Sequence, residues 1–316
     1  MSLVSKKNVL GIDIGGSSIK WGVVNPDGKI LKSGRIKVND RAPEKVISLL
    51  GGLIKEKTSD PEHKIVGVGV GSPGLVDRTR KIVRLSPNFP LWDNVHIVDK
   101  LKPFADGIEI TFENDANLLV YSETRWGGAV GCSNVVVLTL GTGVGGGVMI
   151  DGNLFRGSGG GASELGHIPL DVNGPRCECG ATGCFEAFCN IRGTMRMAET
   201  VFPKTMVPET PSELTKAAEM GDEWAIETWK RVGHYLGVGV AALVNIFNPE
   251  VILVGGGLAN AGKWLFEPAA EVAAKRSYTP SWEEVRFQRA ELKDEAGLLG
   301  AAAMAFDEAG IETSKK

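Results

Sequence analysis

Apolar and polar positions along the chain alternate between short apolar runs, glycine-rich breaks and stretches of helical spacing, the order expected of an α/β protein. Val9 to Ile14 is an apolar run interrupted by Asp13; Gly15, Gly16, Ser17 and Ser18 follow, and Ile19 to Asn25 returns. Strand, small-residue turn, strand predicts a hairpin. Pro26, Asp27 and Gly28 turn the chain again, and Ile30 to Val38 predicts a third strand. Val46, Ile47, Leu50 and Ile54 fall at helical spacing within Glu44 to Lys57, and Ile65 to Val70 predicts a strand closed by Gly71, Ser72, Pro73 and Gly74. Residues 81–99 read as a loop centred on Ser86-Pro87-Asn88-Phe89-Pro90-Leu91-Trp92. Ile108 to Phe112 predicts a strand, with Glu113-Asn114-Asp115-Ala116-Asn117 at its end and a helix from about Leu118.

The second half repeats the opening design. Val135 to Leu140 is strongly apolar, Gly141-Thr142-Gly143 turns it, and Val144 to Ile150 returns, which points to an internal duplication. Thr210-Pro211-Ser212-Glu213 is a capping box opening a helix to about Met220. Glu223 to Phe247 is a long helix stopped by Asn248-Pro249, and Val251 to Val254 predicts a buried strand running into Gly255, Gly256 and Gly257. Lys263 to Arg276 predicts a helix, Val285 to Ala290 a strand, and Glu295 to Phe306 an alanine-rich closing helix before a frayed end at Ser314, Lys315 and Lys316.

Candidate chemistry gathers at the breaks. Glycines at the hairpin tips let backbone N–H groups approach an anion; Ser17 and Ser18 add hydroxyls, and Asp13 stands where it reaches a hydrated cation on phosphate. Asp115 and Asn114, at the C-terminal end of a strand, stand where α/β folds bind ligands, and either equally reads as a helix N-cap. Asn88, framed by Pro87 and Pro90, is a rigid polar contact or a turn residue. The densest cluster is Gly161 to Glu186. There His167, Cys177, Cys179 and Cys184 follow the spacing H-x9-C-x-C-x4-C, three thiolates and one imidazole of the kind that closes a tetrahedral structural zinc site. A metal knot there holds Glu164 and Glu186 at set positions, where they can grip hydroxyls of a small polar ligand.

Composition trims the options. With 316 residues the chain has room for two cores, and 43% hydrophobic against 23% charged residues is ordinary for a globular protein. A net charge of −3 argues against a nucleic-acid surface, and no apolar run nears the roughly 20 residues that cross a bilayer. Five cysteines, an odd count, with no secretion-like N-terminus favour metal over disulfides and a cytoplasmic setting. The 42 glycines are about twice the usual share.

Taken together these residues resemble the sugar kinases of the ROK family, most closely its bacterial ATP-dependent glucokinases. The resemblance rests on DIGGSSIK (13–20), GVGSPGLVD (69–77), SPNFPLW (86–92), ENDAN (113–117), LGTGVGGG (140–147), GASELGH (161–167), CECGATGCFE (177–186) and VGGGLA (254–259), in order along nearly the whole chain. It implies a two-lobed actin-like (ribonuclease H-like) α/β fold with a cleft: an N-terminal lobe at 1–116, a C-terminal lobe with the zinc loop at 117–297, and a last helix, about 298–316, packing back on the first. It implies ATP with Mg²⁺ held by Asp13, Gly15, Gly16, Ser17, Ser18, Lys20, Gly141, Thr142 and Gly143, and Gly255, Gly256 and Gly257 near the adenosine. It implies Asp115 as general base, a hexose gripped by Asn88, Asn114, Asp115, Glu164, His167 and Glu186, a structural zinc on His167, Cys177, Cys179 and Cys184, and a homo-oligomer, dimer or tetramer. Ser17 stands where the family more often has Thr, and keeps the hydroxyl. Glucose is the expected sugar; mannose, N-acetylglucosamine, fructose and allose are alternatives, as is polyphosphate as donor. A sugar-sensing repressor of the same family carries a helix-turn-helix ahead of the first hairpin, for which a hairpin beginning near residue 9 leaves no room. A nucleic-acid-binding zinc ribbon needs a second cysteine pair, which is not seen at ribbon spacing.

Overall fold

A computed structural model describes residues 7–86 and 88–314. Pro87, one of the two prolines framing Asn88, and Lys315 and Lys316 of the expected frayed end lie outside the described residues. The chain runs β1 (Asn8–Ile14), β2 (Ser18–Val24), β3 (Ile30–Lys37), α1 (Pro43–Thr58), β4 (Ile65–Ser72), β5 (Leu75–Val76), β6 (Val83–Leu85), β7 (Asp93–Val95), α2 (Ile97–Leu101), β8 (Ile110–Asn114) and α3 (Asp115–Trp126). It continues with β9 (Val135–Leu140), β10 (Val144–Ile150), β11 (Asn153–Leu154), α4 (Phe185–Cys189), α5 (Ile191–Val201), α6 (Pro211–Glu219) and α7 (Glu223–Phe247). It closes with β12 (Val251–Gly255), α8 (Lys263–Arg276), α9 (Thr279–Glu284), β13 (Arg286–Arg289) and α10 (Ala296–Glu308).

The chain divides into two compact units, residues 1–131, 154–162 and 292–316 in the first, and 132–153 and 163–291 in the second. In the first, a five-stranded sheet has the order β3-β2-β1-β4-β8. Strands β3, β2 and β1 pair antiparallel, and β1, β4 and β8 pair parallel. Sheet alternation explains its two faces. Leu10, Ile12, Val68 and Val70 join one core cluster with Val46, Leu50 and Ile54 of α1. Glycines take the other face, where α10 lies. A Cβ on Gly69 would come within 1.8 Å of the Ala301 carbonyl oxygen, and one on Gly11 within 2.2 Å of that of Leu298. Glycine here is the condition for helix backbone to lie directly on strand backbone. On α10 itself, a Cβ at Gly300 would meet the Leu118 carbonyl oxygen of α3 at 2.0 Å, so α10 is covered by α3 as well and is buried over Ala296–Phe306. This double cover explains an alanine-rich sequence with little polar face.

The second unit holds a sheet of order β11-β10-β9-β12-β13, with β9 and β10 antiparallel and β9, β12 and β13 parallel. Its order and strand directions match those of the first sheet where register is given, as the duplicated hairpins predict, and the pair of like sheets is the actin-like arrangement. Val136, Leu138, Ile252 and Val254 share a core with Leu236, Val240 and Val244 of α7 and Leu265 and Ala269 of α8. Mid-helix glycines cost about 1 kcal/mol each against alanine. On α7 they allow close crossing, since a Cβ on Gly237 would lie 2.4 Å from the Ala269 carbonyl oxygen.

Two expectations need correction. Residues 81–99 contain β6, β7 and α2, with β5, β6 and β7 forming a small antiparallel sheet; strands of two or three residues are too short to show period-two alternation. The strand expected at 108–112 lies at Ile110–Asn114, and the helix expected from about Leu118 opens at Asp115 because Asn114 caps it. By contact, α3 and residues 154–162 fall in the first unit, because α3 lies against α10. Among the described residues no helix is long and apolar enough to cross a membrane.

Gly69→Ala is expected to cost about 2 kcal/mol or more, since the clash is with backbone that cannot move aside, whereas Gly52→Ala, in α1 with nothing within 4 Å of its Cβ, is expected to gain about 0.5–1 kcal/mol. Paired thermal melts check both signs.

Candidate active site

In the first unit the polar residues singled out above collect at the ends of β1, β4 and β8. The turn after β1 is closed by the Gly15 N–H donating to the Ser18 carbonyl at 2.9 Å, and a Cβ on Gly16 would sit 3.3 Å from the Asn88 side-chain nitrogen. Asn88 thus reaches the first glycine turn. Its loop is anchored by Phe89 and Trp92, both fully buried with ring centroids 4.7 Å apart, and by the Trp92 Nε1–H on the Arg41 carbonyl at 3.1 Å. Two buried aromatic rings hold one exposed amide.

Asn114 ends β8 and caps α3: its Oδ1 accepts from the N–H groups of Ala116 (2.9 Å) and Asn117 (3.2 Å), and its Nδ2 donates to the Gly74 carbonyl at 2.9 Å. The choice between Asn114 and Asp115 as N-cap is thereby made. Asp115 is the first helical residue, half-buried, its Oδ1 2.9 Å from the Ala116 N–H. Behind them Glu113 is 1% exposed. Its Oε1 accepts from Asn114 N–H and Asn117 Nδ2, both at 3.0 Å, and its Oε2 accepts from Arg156 Nε at 2.7 Å. Burial alone would lower the pKa of Arg156, but Glu113 and Tyr121 beside it raise it. Neither Glu113 nor Arg156 carries a signal of this pairing in the sequence, where the two lie 43 residues apart. No local spacing signals such a pair.

Asp13 is pressed against the start of α10, where a Cβ on Gly297 would come within 2.6 Å of its Oδ2. Burial raises its pKa, and Lys20 opposes the rise. Lys20 Nζ donates to the Asp294 carbonyl at 3.0 Å. Among the described residues nothing donates a hydrogen bond to the Asp13 carboxylate, so a hydrated cation suits it.

In the second unit, one acid ties the glycine turn to the cysteine loop. Glu186 Oε2 accepts from the Val144 N–H at 2.9 Å, and its Oε1 accepts from Cys177 Sγ at 3.5 Å. A Cβ on Gly143 would come within 2.6 Å of the same Oε2, so glycine there is what admits the carboxylate. Gly141 and Thr142 are held from below: their carbonyls accept from the Ile191 N–H at 2.8 Å and Asn190 Nδ2 at 3.2 Å. Asn190, which caps α5, went unnoticed because an N-cap asparagine is commonplace in sequence. Gly256, at φ 85°, brings the end of β12 against the end of β9; a Cβ would lie 2.3 Å from the Leu140 carbonyl oxygen. Gly255, Gly256 and Gly257 are therefore neighbours of Gly141. A Cβ on Gly166 would meet the Val144 carbonyl oxygen at 2.0 Å, so this glycine seats the turn carrying exposed Glu164 and His167 against β10.

His167, Cys177, Cys179 and Cys184 converge, with one donor atom from each lying within 4.8 Å of all the others. Cys177 Sγ is 3.8 Å from His167 Nδ1, and Cys179 Sγ is 3.7 Å from Cys184 Sγ, too far for a disulfide. A tetrahedron with metal–sulfur bonds of about 2.3 Å has edges of about 3.8 Å. Two of the donor–donor distances match such edges, and the others lie within 4.8 Å. Burial pushes the Cys177 thiol up to about 12 and raises that of Cys184, while the Ala181 backbone N–H lowers that of Cys179.

Comparison with known proteins gives the family. The model of the ROK family matches residues 9–308. The chain belongs to the ROK family. Glucokinase of Thermotoga maritima is 38% identical over 320 residues, 96% of this chain and 99% of that protein. The solved ROK hexokinase from Thermus thermophilus superposes with a TM-score of 0.83 at 34% identity, covering 96% of this chain and 99% of the other. A ROK glucokinase from Streptomyces griseus, solved with glucose and AMPPNP, gives 0.78 at 30% identity, covering 95% and 99%. Both ROK structures share the two-lobed actin-like fold with this chain.

Because burial raises the pKa of Asp13 above its unfolded value near 3.9, the folded state holds this proton more tightly. Its contribution to stability is best below that unfolded value and is lost as pH rises through the folded one. Asp13→Asn is accordingly expected to raise Tm at neutral pH without nucleotide, by roughly 2 °C per kcal/mol recovered, and to flatten the Tm–pH curve. A lower Tm for the variant at neutral pH would contradict this.

Proposed function

We propose that this ROK-family protein is an ATP-dependent hexose kinase that transfers the γ-phosphoryl group of ATP to the 6-hydroxyl of glucose, with Asp115 as general base. The glucokinase relatives, and above all the glucose and AMPPNP complex of the Streptomyces griseus protein, support both substrates. The observation that carries the choice of Asp115 is its setting. It is a half-buried carboxylate at the first position of α3, locked by the Asn114 cap and by Glu113 beneath it. A base held this firmly loses little orientational freedom when the sugar hydroxyl arrives.

Phosphoryl transfer asks a protein mainly for positioning and for charge at the transferring oxygens. The N–H groups of the turns at Gly15, Gly16, Ser17 and Ser18 and at Gly141, Thr142 and Gly143 would supply donors to phosphate, with Lys20 as a nearby cation and Gly255, Gly256 and Gly257 receiving the nucleoside. Magnesium bound with ATP supplies positive charge to the phosphates, and Asp13 would hold its hydration shell. Asn88, Asn114, Glu164, His167 and Glu186 are the proposed contacts to sugar hydroxyls. Asn114 brings the least free hydrogen-bonding capacity, since its side chain is already spent on α3 and Gly74. Zinc on His167, Cys177, Cys179 and Cys184 supplies a rigid crosslink. What the protein itself does there is hold Glu186 between the glycine turn and the cysteine loop.

Release of ADP from Mg-ATP over a panel of hexoses tests the assignment: glucose is expected to turn over best, and best turnover with an N-acetylated sugar or fructose would move the specificity elsewhere. Asp115→Asn is expected to lower kcat about 10²- to 10⁴-fold with an unchanged melting curve; a kcat near wild type would remove Asp115 from its role. Metal analysis of purified protein is expected to find one zinc per chain. Cys179→Ala is expected to lose it and to raise the KM for glucose more than it lowers kcat.

A further inference from the structure

The first unit contains a cavity of about 570 Å³ that plays no part in the kinase reading. Its walls carry three guanidinium groups, Arg78, Arg80 and Arg156, with Asp307 and Glu308 from the end of α10 and the Tyr121 ring from α3. The volume is within the range that takes a small metabolite.

The charges do not balance. Asp307 is taken by Arg125, Glu308 by Arg80 at 3.5 Å, and Glu113, behind the wall, by Arg156 at 2.7 Å. Arg78 is exposed and has no hydrogen-bond or ion-pair partner among the described residues. One positive charge is therefore left over. Donors are left over as well. Arg156 gives its Nε–H to Glu113 and one Nη2–H to the Tyr121 hydroxyl, two of the five that a guanidinium carries, and Arg80 makes a single long contact. Arg156 is not free to swing away, because it neutralises a buried carboxylate that would otherwise stand unpaired. Its remaining N–H groups are thus fixed in place, which is what distinguishes a built site from a cluster of loose surface cations. A neutral polyol would leave the extra charge uncompensated; an oxyanion completes it. Guanidinium forks match the oxygens of a phosphate group in shape and spacing. Leu154 and Met304 provide apolar wall for an organic portion.

We infer that this cavity binds a small phosphate monoester, held by Arg78, Arg80 and Arg156, at a site separate from the residues proposed to carry hexose phosphorylation. Bound there, the ligand fixes the segment 154–162 through Arg156 and lies, through Glu113, one carboxylate away from the start of α3.

Isothermal titration with phenyl phosphate tests this on the whole protein, with glucose and AMPPNP present in saturating amounts so that phosphate sites of the kinase reading are filled. Wild type is expected to bind at up to millimolar concentration. Arg78→Ala is expected to weaken binding roughly tenfold or more, the worth of one charge-assisted contact, with glucose turnover and the melting curve unchanged. Glu308→Gln, which releases Arg80, is expected to tighten it. Absence of binding in wild type, or equal binding in Arg78→Ala, overturns the proposal, and so does equal affinity for benzoate, which would make the cavity a general anion trap. Because binding is read without turnover, failure of the kinase reading would appear separately, as absence of ADP release in the same wild-type protein.

Discussion

Close approach of backbone to backbone, made possible by missing side chains, is the constraint on which both units depend. In the first, α10 rests on β1 and β4 with Gly11 and Gly69 beneath it and Gly300 against α3. Any Cβ at these points would meet a carbonyl oxygen that helix geometry holds in place. Dispersion and burial then act over a contact with almost no gap, which is how a helix of mostly alanine contributes to a core. The same contact brings Gly297 beside Asp13, so the packing that stabilises the unit also sets the carboxylate at the C-terminal end of β1.

In the second unit the same device serves chemistry more directly. Gly143 admits Glu186, Gly166 admits the turn carrying Glu164 and His167, and Gly256 admits the end of β12 against β9. Polar residues separated by many positions become neighbours because nothing stands between their backbones. Glu186 is the junction of this arrangement, with one oxygen on the glycine turn and the other on a cysteine of the metal-spaced cluster. A carboxylate so held is expensive to misplace, which suits the sugar contact proposed for it.

Two acids at the same end of the first sheet, Asp13 and Glu113, differ in how they are answered. Glu113 is buried with every oxygen answered, by Asn114, Asn117 and Arg156, and it holds α3 in place. Asp13 is half-buried without such partners, and desolvation raises its pKa against the pull of Lys20. Proteins retain a strained charge where a ligand will answer it. Asp115, half-buried like Asp13, is tied to the helix start through the Ala116 N–H.

Much of this was legible in the amino-acid order. The glycine hairpins, the long helix Glu223–Phe247, the strand Val135–Leu140 and the convergence of His167 with three cysteines all declare themselves through local spacing, because periodicity and turn chemistry act within a few residues. Strands of two or three residues in β5, β6 and β7 do not, since no period fits in them. Nor do the ion pair of Glu113 with Arg156 or the reach of Glu186 to Val144. Those depend on which elements are neighbours in space. That is decided by the summed burial of whole faces, a quantity no window of sequence contains. The chain by itself determined where strands, turns and metal-type ligands fall; tertiary structure alone decided which acid is supported and which is left without a donor.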